Sequence, residues 1–326
     1  MPMPTKLAAT AAVLFAALAL PAAAQTPTDY PTKPVMLILP YGPGGVADVG
    51  MRILGDQLSK RLKQQFVIEN RPGAGGIVAA QAALSAAPDG YTLAMTGNNN
   101  AIAASLFNKL PYNILTDFAS VSTASFFDLL IITRKDSPLK SLKDVIAAAK
   151  ANPGKLNIGT ITPGSTQNLA AELFTSTADI KATIVTFRTS PDMANAVLRG
   201  DVDIAFEFYA AAQGLLTSDK MIALASTGPT RTAYLPNVPT AMESGLADYE
   251  VTSWNGISVP AATPKNVIAK LNAAMKEVIP TEAIRDKATR MGMEMRASTP
   301  EAMTRRMQDD IAKWGAVIAR AGIPKQ

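Results

Sequence analysis

The chain has 326 residues, of which 48% are apolar and 17% charged, and it contains neither cysteine nor histidine. It can therefore form no disulfide, thiolate metal site, iron–sulfur cluster or Ser-His-Asp triad. Its 31 basic and 26 acidic residues leave a net charge of +5, without the clustering that a nucleic-acid surface needs. The composition favours a binding protein, and no metal, cofactor or nucleic-acid partner is expected.

The N-terminal segment has the pattern of a secretory signal peptide. Lys6 precedes the apolar run Leu7–Leu20, and the small residues Ala22-Ala-Ala24 follow that run. The run is shorter than the ~20 apolar residues that span a bilayer. We expect residues 1–24 to direct export and to be cleaved near Ala24.

Strand-like and helical runs alternate along the rest of the chain. The predicted strands are Val35–Leu39, Phe66–Glu69, Tyr91–Met95, Leu129–Thr133, Leu156–Gly159, Ile184–Phe187, Asp203–Phe206, Ile222–Ala225 and Val251–Val259. The predicted helices are Val49–Leu62, Ile77–Ala87, Ala101–Phe107, Ser141–Ala151, Leu169–Ser176, Met193–Leu198, Gln213–Leu216, Pro264–Ile279 and Ala302–Ala321. This alternation predicts an α/β fold whose parallel sheets are covered by helices.

The pattern restarts after Leu129–Thr133, which predicts two α/β domains. We expect two extended crossings between them, near Ala124–Thr133 and Val251–Val259, with the terminal helices returning to the first domain. The predicted bounds are residues 25–128 with 252–326 for the first domain and 129–251 for the second. Because ligands of open α/β sheets bind beyond the carboxyl ends of strands, loops of both domains can face one cleft.

The first glycine-rich loop permits an enzyme interpretation. Gly42, Gly44 and Ala47 fit the dinucleotide fingerprint between a strand and a helix, and Glu69 ends the next strand. An NAD-dependent oxidoreductase is therefore an alternative function. Two features disfavour it, because the Gly42–Glu69 spacing exceeds the usual ~20 residues and Pro43 changes the turn.

The same loop also suits anion binding. A glycine turn that leads into a helix leaves backbone N–H groups unpaired where the helix dipole is positive, which suits a carboxylate. The candidate ligand-binding residues here are Tyr41, Gly44, Gly45, Val46 and Asp48. For Asp48, capping of the helix and contact with a ligand group both remain open.

A second polar loop, from Thr160 to Gln167, occupies the matching place in the second domain. Its candidate ligand-binding residues are Thr160, Gly164, Ser165, Thr166 and Gln167, whose hydroxyl and amide groups can donate to an anionic oxygen. Capping of the next helix by Ser165 or Thr166 is the alternative.

Three further polar residues are candidates. Asn98 either closes a turn or contacts the ligand, Arg188 either pairs with a second carboxylate or is solvated, and Glu207 follows the end of a strand. Asp201, Asp203 and Glu207 could suggest a metal site, but they spread over about 20 Å of extended chain at ~3.3 Å per residue, which disfavours it.

Five aromatic residues lie near predicted strand ends and crossings. They are Phe126, Phe127, Phe206, Phe208 and Tyr209. Two interpretations remain open, an apolar wall suited to an aromatic acid and ordinary packing in the core.

Seven short motifs, in this order and spacing, resemble those of a known family. They are Tyr30-Pro-x-Lys-Pro34, Pro40-Tyr-x-Pro-Gly-Gly45 with Asp48, Glu69-Asn-Arg-Pro-Gly-Ala-Gly-Gly76, Pro88-Asp-Gly-Tyr91, Leu198-x-Gly-Asp-Val-Asp203, Leu235-Pro-x-Val-Pro-Thr240 and Trp254-Asn-Gly256. The chain resembles the periplasmic solute-binding proteins of tripartite tricarboxylate transporters, the Bug or TctC-like receptors, from about Tyr30 to Gly322.

The resemblance implies a two-domain Venus-flytrap of the type II periplasmic binding class. It implies a receptor that captures a small organic carboxylate, partly through ordered water, and delivers it to a membrane permease. We expect a monomer without enzymatic activity, whose ligand is a dicarboxylate or tricarboxylate, an aromatic acid or an acidic amino acid. Presentation of the ligand to a membrane sensor kinase is an alternative with the same capture step. Where the family often has Thr and His, this chain has Ala47 and Asn168, so the family's usual ligand does not carry over.

Overall fold

The computed structural model describes residues 29–326, so the predicted signal peptide lies outside the described residues. The strands are β1 Val35–Leu39, β2 Phe66–Asn70, β3 Thr92–Gly97, β4 Phe118–Arg134, β5 Leu156–Ile161, β6 Ala182–Phe187, β7 Ile204–Phe208, β8 Met221–Ser226, β9 Thr252–Pro260 and β10 Glu294–Met295. The helices are α1 Val46–Leu62, α2 Ile77–Leu84, α3 Asn98–Leu106, α4 Leu142–Ala151, α5 Thr166–Thr177, α6 Ser190–Arg199, α7 Tyr209–Thr217, α8 Lys265–Val278, α9 Glu282–Arg290 and α10 Pro300–Ala321. None of these helices has both the length and the apolar character needed to cross a membrane.

The strands form one twisted sheet in the order β2-β1-β3-β9-β4-β7-β5-β6, with β8 and β10 also paired to β4. β1 runs parallel to β2 and β3, and β5 runs parallel to β6 and β7. β4 and β9 run antiparallel to their neighbours. The expectation of parallel sheets therefore holds for β1–β3 and for β5–β7 but not for the two connecting strands β4 and β9, which run antiparallel to their neighbours.

β4 connects the two halves of the sheet. Its residues up to Asp128 pair with β9, and from Leu129 onward it pairs with β7. We call the strands on the β1 side the first half and those on the β5 side the second half. The predicted domain bounds stay a prediction, which this change of partner between Asp128 and Leu129 supports.

Several local expectations need correction. The helix predicted from Ala101 begins at Asn98, where Asn100 Oδ1 accepts the Gly97 N–H at 3.0 Å and stabilises the first turn of α3. β9 is buried along its whole length, between β3 of the first half and the long strand β4. The short helix α9 and strand β10 were not predicted.

The long C-terminal helix α10 contacts α3 and β4 in the first half and α5 in the second. Its Trp314 is 1% exposed, and the indole Nε1–H donates to Asn98 Oδ1 at 2.6 Å. A second buried indole, that of Trp254 in β9, donates to Asp310 Oδ2 of α10 at 2.6 Å. These two bonds fix α10 against the start of α3 and against a connecting strand.

Candidate functional site

A cavity of about 580 Å³ lies where the carboxyl ends of β1 and β5 face each other. Its lining comes from both halves of the sheet and from both connecting strands. The first half contributes the loop Tyr41–Gly45, which we call the first Pro-Gly loop, and the second half contributes Thr162–Ser165, the second Pro-Gly loop. The predicted meeting of the two loops at one cleft is what the structure shows.

Asp48, in the first turn of α1, stabilises the first Pro-Gly loop. Gly44 has φ +87°, and its N–H donates to Asp48 Oδ2 at 2.9 Å. Arg52 Nε donates to the same oxygen at 2.9 Å, and Asn70 Nδ2 donates to Oδ1 at 2.8 Å. Burial opposes ionisation of Asp48, but these hydrogen bonds outweigh it and hold the pKa of the carboxyl below its usual value. Asp48 is 1% exposed and does not line the cavity, so its position is that of a loop support.

The second Pro-Gly loop repeats this turn with different side chains. Gly164 has φ +78°, and its N–H donates to Asn168 Oδ1 at 3.0 Å. Both loops thus contain the dipeptide Pro-Gly. In each, the residue four positions after the glycine is Asp or Asn, and its side chain accepts the glycine N–H. Ser165 caps α5 by accepting the Asn168 N–H at 3.1 Å, so the capping interpretation is confirmed for Ser165.

The two helix starts present unpaired backbone donors. In α1 the first helical bond runs from Val49 N–H to Gly45, and in α5 it runs from Leu169 N–H to Ser165. Within residues 29–326, the N–H groups of Val46 and Ala47 on α1, and of Thr166 and Gln167 on α5, have no acceptor. All four residues line the cavity. Two positive helix ends with free donors therefore converge on one space, which suits an anion.

A direct hydrogen bond joins the two halves beside the cavity. Asn98 Nδ2, at the start of α3, donates to Thr166 Oγ1, at the start of α5, at 3.0 Å. The other amide atom of Asn98 accepts the Trp314 Nε1–H, and an indole can only donate, which fixes the orientation of the amide. Asn98 is 2% exposed and lies behind the lining, while its neighbour Asn99 faces the cavity.

The connecting strands form the wall between the two loops. Phe127 of β4 with Ser253 and Asn255 of β9 face the cavity, as the alternation of side chains along a strand requires. Phe208, at the end of β7, packs edge-to-face on Phe127 with ring centroids 5.9 Å apart. Of the five aromatic candidates, these two line the cavity.

Gln167 reaches the cavity from α5 and is held by Glu207. Its Nε2 donates to Glu207 Oε1 at 3.1 Å, and the same oxygen accepts the Phe208 N–H at 2.7 Å. Burial raises the pKa of Glu207 above its usual value, although interactions with Ser190, the Phe208 N–H and Gln167 favour the ionised form. Glu207 is 3% exposed and lies behind Gln167 rather than in the lining.

The predicted site residues therefore divide into two groups. Those that line the cavity are Tyr41, Gly45, Val46, Gly164, Ser165, Thr166 and Gln167. Those that do not are Gly44, Asp48, Asn98, Thr160, Arg188 and Glu207. Thr160 is fully buried and donates to the Ile161 carbonyl, and Arg188 is exposed after β6. The binding role of the first group stays a prediction.

Sequence reasoning missed several lining residues, above all Asn99, Ser253 and Asn255. A signal existed for the β9 pair, because polar residues at alternate positions of an otherwise apolar strand point to one face. No comparable signal distinguishes Asn99 from Asn98, since the phase of α3 decides which of the two side chains reaches the cavity.

The residues of the enzyme and metal alternatives have other partners. Glu69 pairs with Arg71, whose Nε lies 2.6 Å from Glu69 Oε1, and does not line the cavity. Asp201 pairs with Arg199, and Asp203 Oδ2 accepts the Asn157 N–H at 2.8 Å. Across residues 29–326, no three acidic side chains lie close enough to hold a metal ion.

A second cavity, of about 680 Å³, lies on the opposite face of the connecting strands. Asp128 lines it and accepts the Thr252 hydroxyl at 2.8 Å across the β4–β9 pair. Burial raises the pKa of Asp128 to about 6, and the nearby carboxylates of Glu250 and Glu294 add to this increase. The hydrogen bond from Thr252 and the positive charge of Arg296 act in the opposite direction.

Comparison with known proteins identifies the family. Residues 51–323 match the family described as "Tripartite tricarboxylate transporter family receptor", TctC. The chain belongs to this family. Among curated TctC relatives, Protein BugT of Bordetella pertussis is 30% identical over 312 residues, which cover 95% of each chain. A Cupriavidus necator protein, named from the gbd 5' region, is 32% identical over 326 residues, 98% of this chain and 95% of its own.

Solved structures agree with this assignment. R. palustris Rpa4515, determined with adipate, has a TM-score of 0.77 and 30% identity, covering 91% of this chain and 99% of its own. MatC from Rhodopseudomonas palustris, with bound malate, has a TM-score of 0.73 and 29% identity, covering 89% and 100%. The periplasmic binding protein BugD has a TM-score of 0.74 and 26% identity, covering 91% and 100%. The predicted two-domain α/β fold of TctC receptors is confirmed.

Proposed function

We propose that this protein is a monomeric periplasmic receptor that captures a small organic carboxylate and delivers it to the membrane permease of a tripartite transporter. The observation that carries the proposal is the convergence of unpaired N–H groups from α1 and α5 on one cavity. A carboxylate there is satisfied by backbone donors without any cationic side chain. Two relatives were solved with adipate and malate, which supports the same ligand chemistry.

The proposal assigns binding, not catalysis, to the cavity. Binding across the two Pro-Gly loops favours the closed arrangement, because only there do donors of both halves contact one ligand. The permease can then recognise the ligand-bound receptor by its closed conformation. Export through the N-terminal signal peptide is part of the proposal.

Gly45→Asp tests the site. Gly45 has an extended backbone at the N-cap of α1, and a Cβ there meets no atom within 4 Å. Asp is a preferred N-cap residue, so folding is preserved, but its carboxylate occupies the helix-start donors that the ligand needs. Calorimetric titration with a panel of carboxylates should show binding by the wild type and a loss of at least about tenfold in the variant.

Gly45→Ala is the matched control, because it adds the same Cβ without the competing charge. It should bind within about threefold of the wild type, since the effect lies in the carboxylate and not in the added atom. Equal affinity of Gly45→Asp and wild type for every ligand, or no carboxylate binding by the wild type, contradicts the proposal.

A further inference from the structure

The cavity contains no formally charged side chain among the residues that the structure describes around it. Its positive potential comes from the starts of α1 and α5, each of which carries about half an elementary charge. That potential and the four free N–H groups suit one carboxylate. A second carboxylate in the same cavity finds no cation, and burying an unpaired charge costs several kcal/mol.

Much of the remaining lining is apolar. Phe127 and Phe208 meet edge-to-face at an interplanar angle of 86°, and Leu106 and Phe107 of the α3 end add further apolar surface. Such a surface stabilises an apolar body by about 25 cal/mol per Å² of area removed from water. A carboxylate placed against this apolar surface loses its hydration, and the polar groups that Asn99, Ser253 and Asn255 add to the lining are uncharged and do not neutralise it.

The hydrogen-bonded pair of Gln167 and Glu207 also bears on which ligand groups the cavity can bind. Glu207 Oε1 accepts two N–H groups, one from Phe208 and one of the two that Gln167 Nε2 carries, and this bond fixes the orientation of the Gln167 amide. If Glu207 binds a proton, the proton goes to Oε2, and Oε1 remains the acceptor. The Gln167 carbonyl oxygen and the second N–H of Nε2 are the groups left for the cavity. The oxygen accepts a hydrogen bond from a hydroxyl or an amine, which an ionised carboxylate cannot offer.

We infer that this receptor selects acids with a single carboxylate and an apolar body, tolerating a hydroxyl or amino donor, over dicarboxylates and tricarboxylates. The inference rests on the proposed function and specifies its ligand class. It also separates this chain from the relatives solved with the dicarboxylates adipate and malate. Glu207 acts here as a positioning residue, through Gln167, and does not itself touch the ligand.

The test compares acids that differ mainly in charge. Hexanoate and adipate share a six-carbon chain but carry one and two carboxylates, and 3-phenylpropanoate and citrate extend the panel. Calorimetry should show hexanoate and 3-phenylpropanoate binding at least about tenfold more tightly than adipate and citrate. Tighter binding of adipate or citrate overturns the inference and leaves the proposed function standing. Absence of binding by all four acids overturns both.

A variant tests the positioning step. In Glu207→Gln the new amide can pair with either end of the Gln167 amide, so Gln167 can turn its Nε2 toward the cavity. The hexanoate-to-adipate affinity ratio should fall by at least about threefold. Glu172→Gln is the matched control. It also replaces a Glu by Gln, on α5, but leaves the Gln167–Glu207 hydrogen bond intact, so the hexanoate-to-adipate affinity ratio should stay at the wild-type value. Equal ratios in both variants overturn the role of Glu207, and thermal melts confirm that both variants fold.

Discussion

The hydrogen bond between Asn98 and Thr166 joins the two halves of the molecule, and its loss should weaken ligand binding. Thr166→Val keeps the shape of the side chain but removes the acceptor of Asn98 Nδ2, which lies 3.0 Å away on a residue that is 2% exposed. The buried amide is then unsatisfied, at a cost of about 1–3 kcal/mol. Opening of the cleft lets water satisfy that amide, so the cost falls on the closed arrangement that the ligand requires.

A cost of 1–3 kcal/mol on the closed state corresponds to an affinity loss of about 5- to 150-fold. Because Thr166 also lines the cavity, the single variant does not separate closure from direct contact with the ligand. A double-mutant cycle with Asn98→Ala does so. Asn98→Ala also removes the hydrogen bond to Trp314. That loss occurs both in the single variant Asn98→Ala and in the double variant, so it cancels when the coupling energy is calculated.

The assay is calorimetric affinity for one carboxylate across wild type, both single variants and the double variant. We expect a coupling energy of about 0.5–2 kcal/mol between the two sites. Strictly additive effects, or wild-type affinity in Thr166→Val, would refute the reasoning. Urea unfolding of each variant establishes that the affinities refer to folded protein.

Variants of two further residues test the loop support and the connecting strands. Asp48→Ala removes the acceptor of the Gly44 N–H and should lower carboxylate affinity by at least about tenfold. Asp48→Asn should lose less, because its Oδ1 can still accept the Gly44 N–H as Asn168 does in the second loop, although its Nδ2 then faces the donor of Asn70 or Arg52. The second residue is Asp128, whose pKa of about 6 in the folded protein exceeds its ordinary value. Between about pH 4 and 7 the folded state therefore binds more protons than the unfolded state, so the free energy of unfolding falls as the pH rises. In urea unfolding, Asp128→Asn should therefore gain up to about 3 kcal/mol over wild type across that pH range, and a constant difference contradicts the assignment.

The Pro-Gly loops could be predicted from the sequence because their chemistry is local. A strand, a glycine turn and an amphipathic helix follow one another within a few residues, so the helix start and its free N–H groups follow from backbone rules. The positions of β4 and β9 in the sheet could not be predicted in the same way. An apolar run does not reveal the direction of its neighbours, and these two strands pair with segments more than 100 residues away.

The candidate side chains were harder to place than the loops. Asp48 and Asn98 are polar, lie at helix starts and belong to the right segments, yet both are fully engaged behind the lining. Sequence shows which residues can donate or accept, but the phase of a helix decides which of them reach the cavity. Glu207 illustrates the same limit, because its role depends on a Gln167 side chain 40 positions earlier.

In the proposed function, the two loops account for both the binding and the release of an anion. Arginine or lysine side chains lose up to about 2 kcal/mol of rotamer entropy each when they are ordered around a ligand. Backbone N–H groups at helix starts are ordered before the ligand arrives, because Asp48 and Asn168 already fix the two glycine turns. Each loop alone offers only part of the donor set. Opening the cleft therefore removes the donors of one half together, and release needs no change in the charge of either loop.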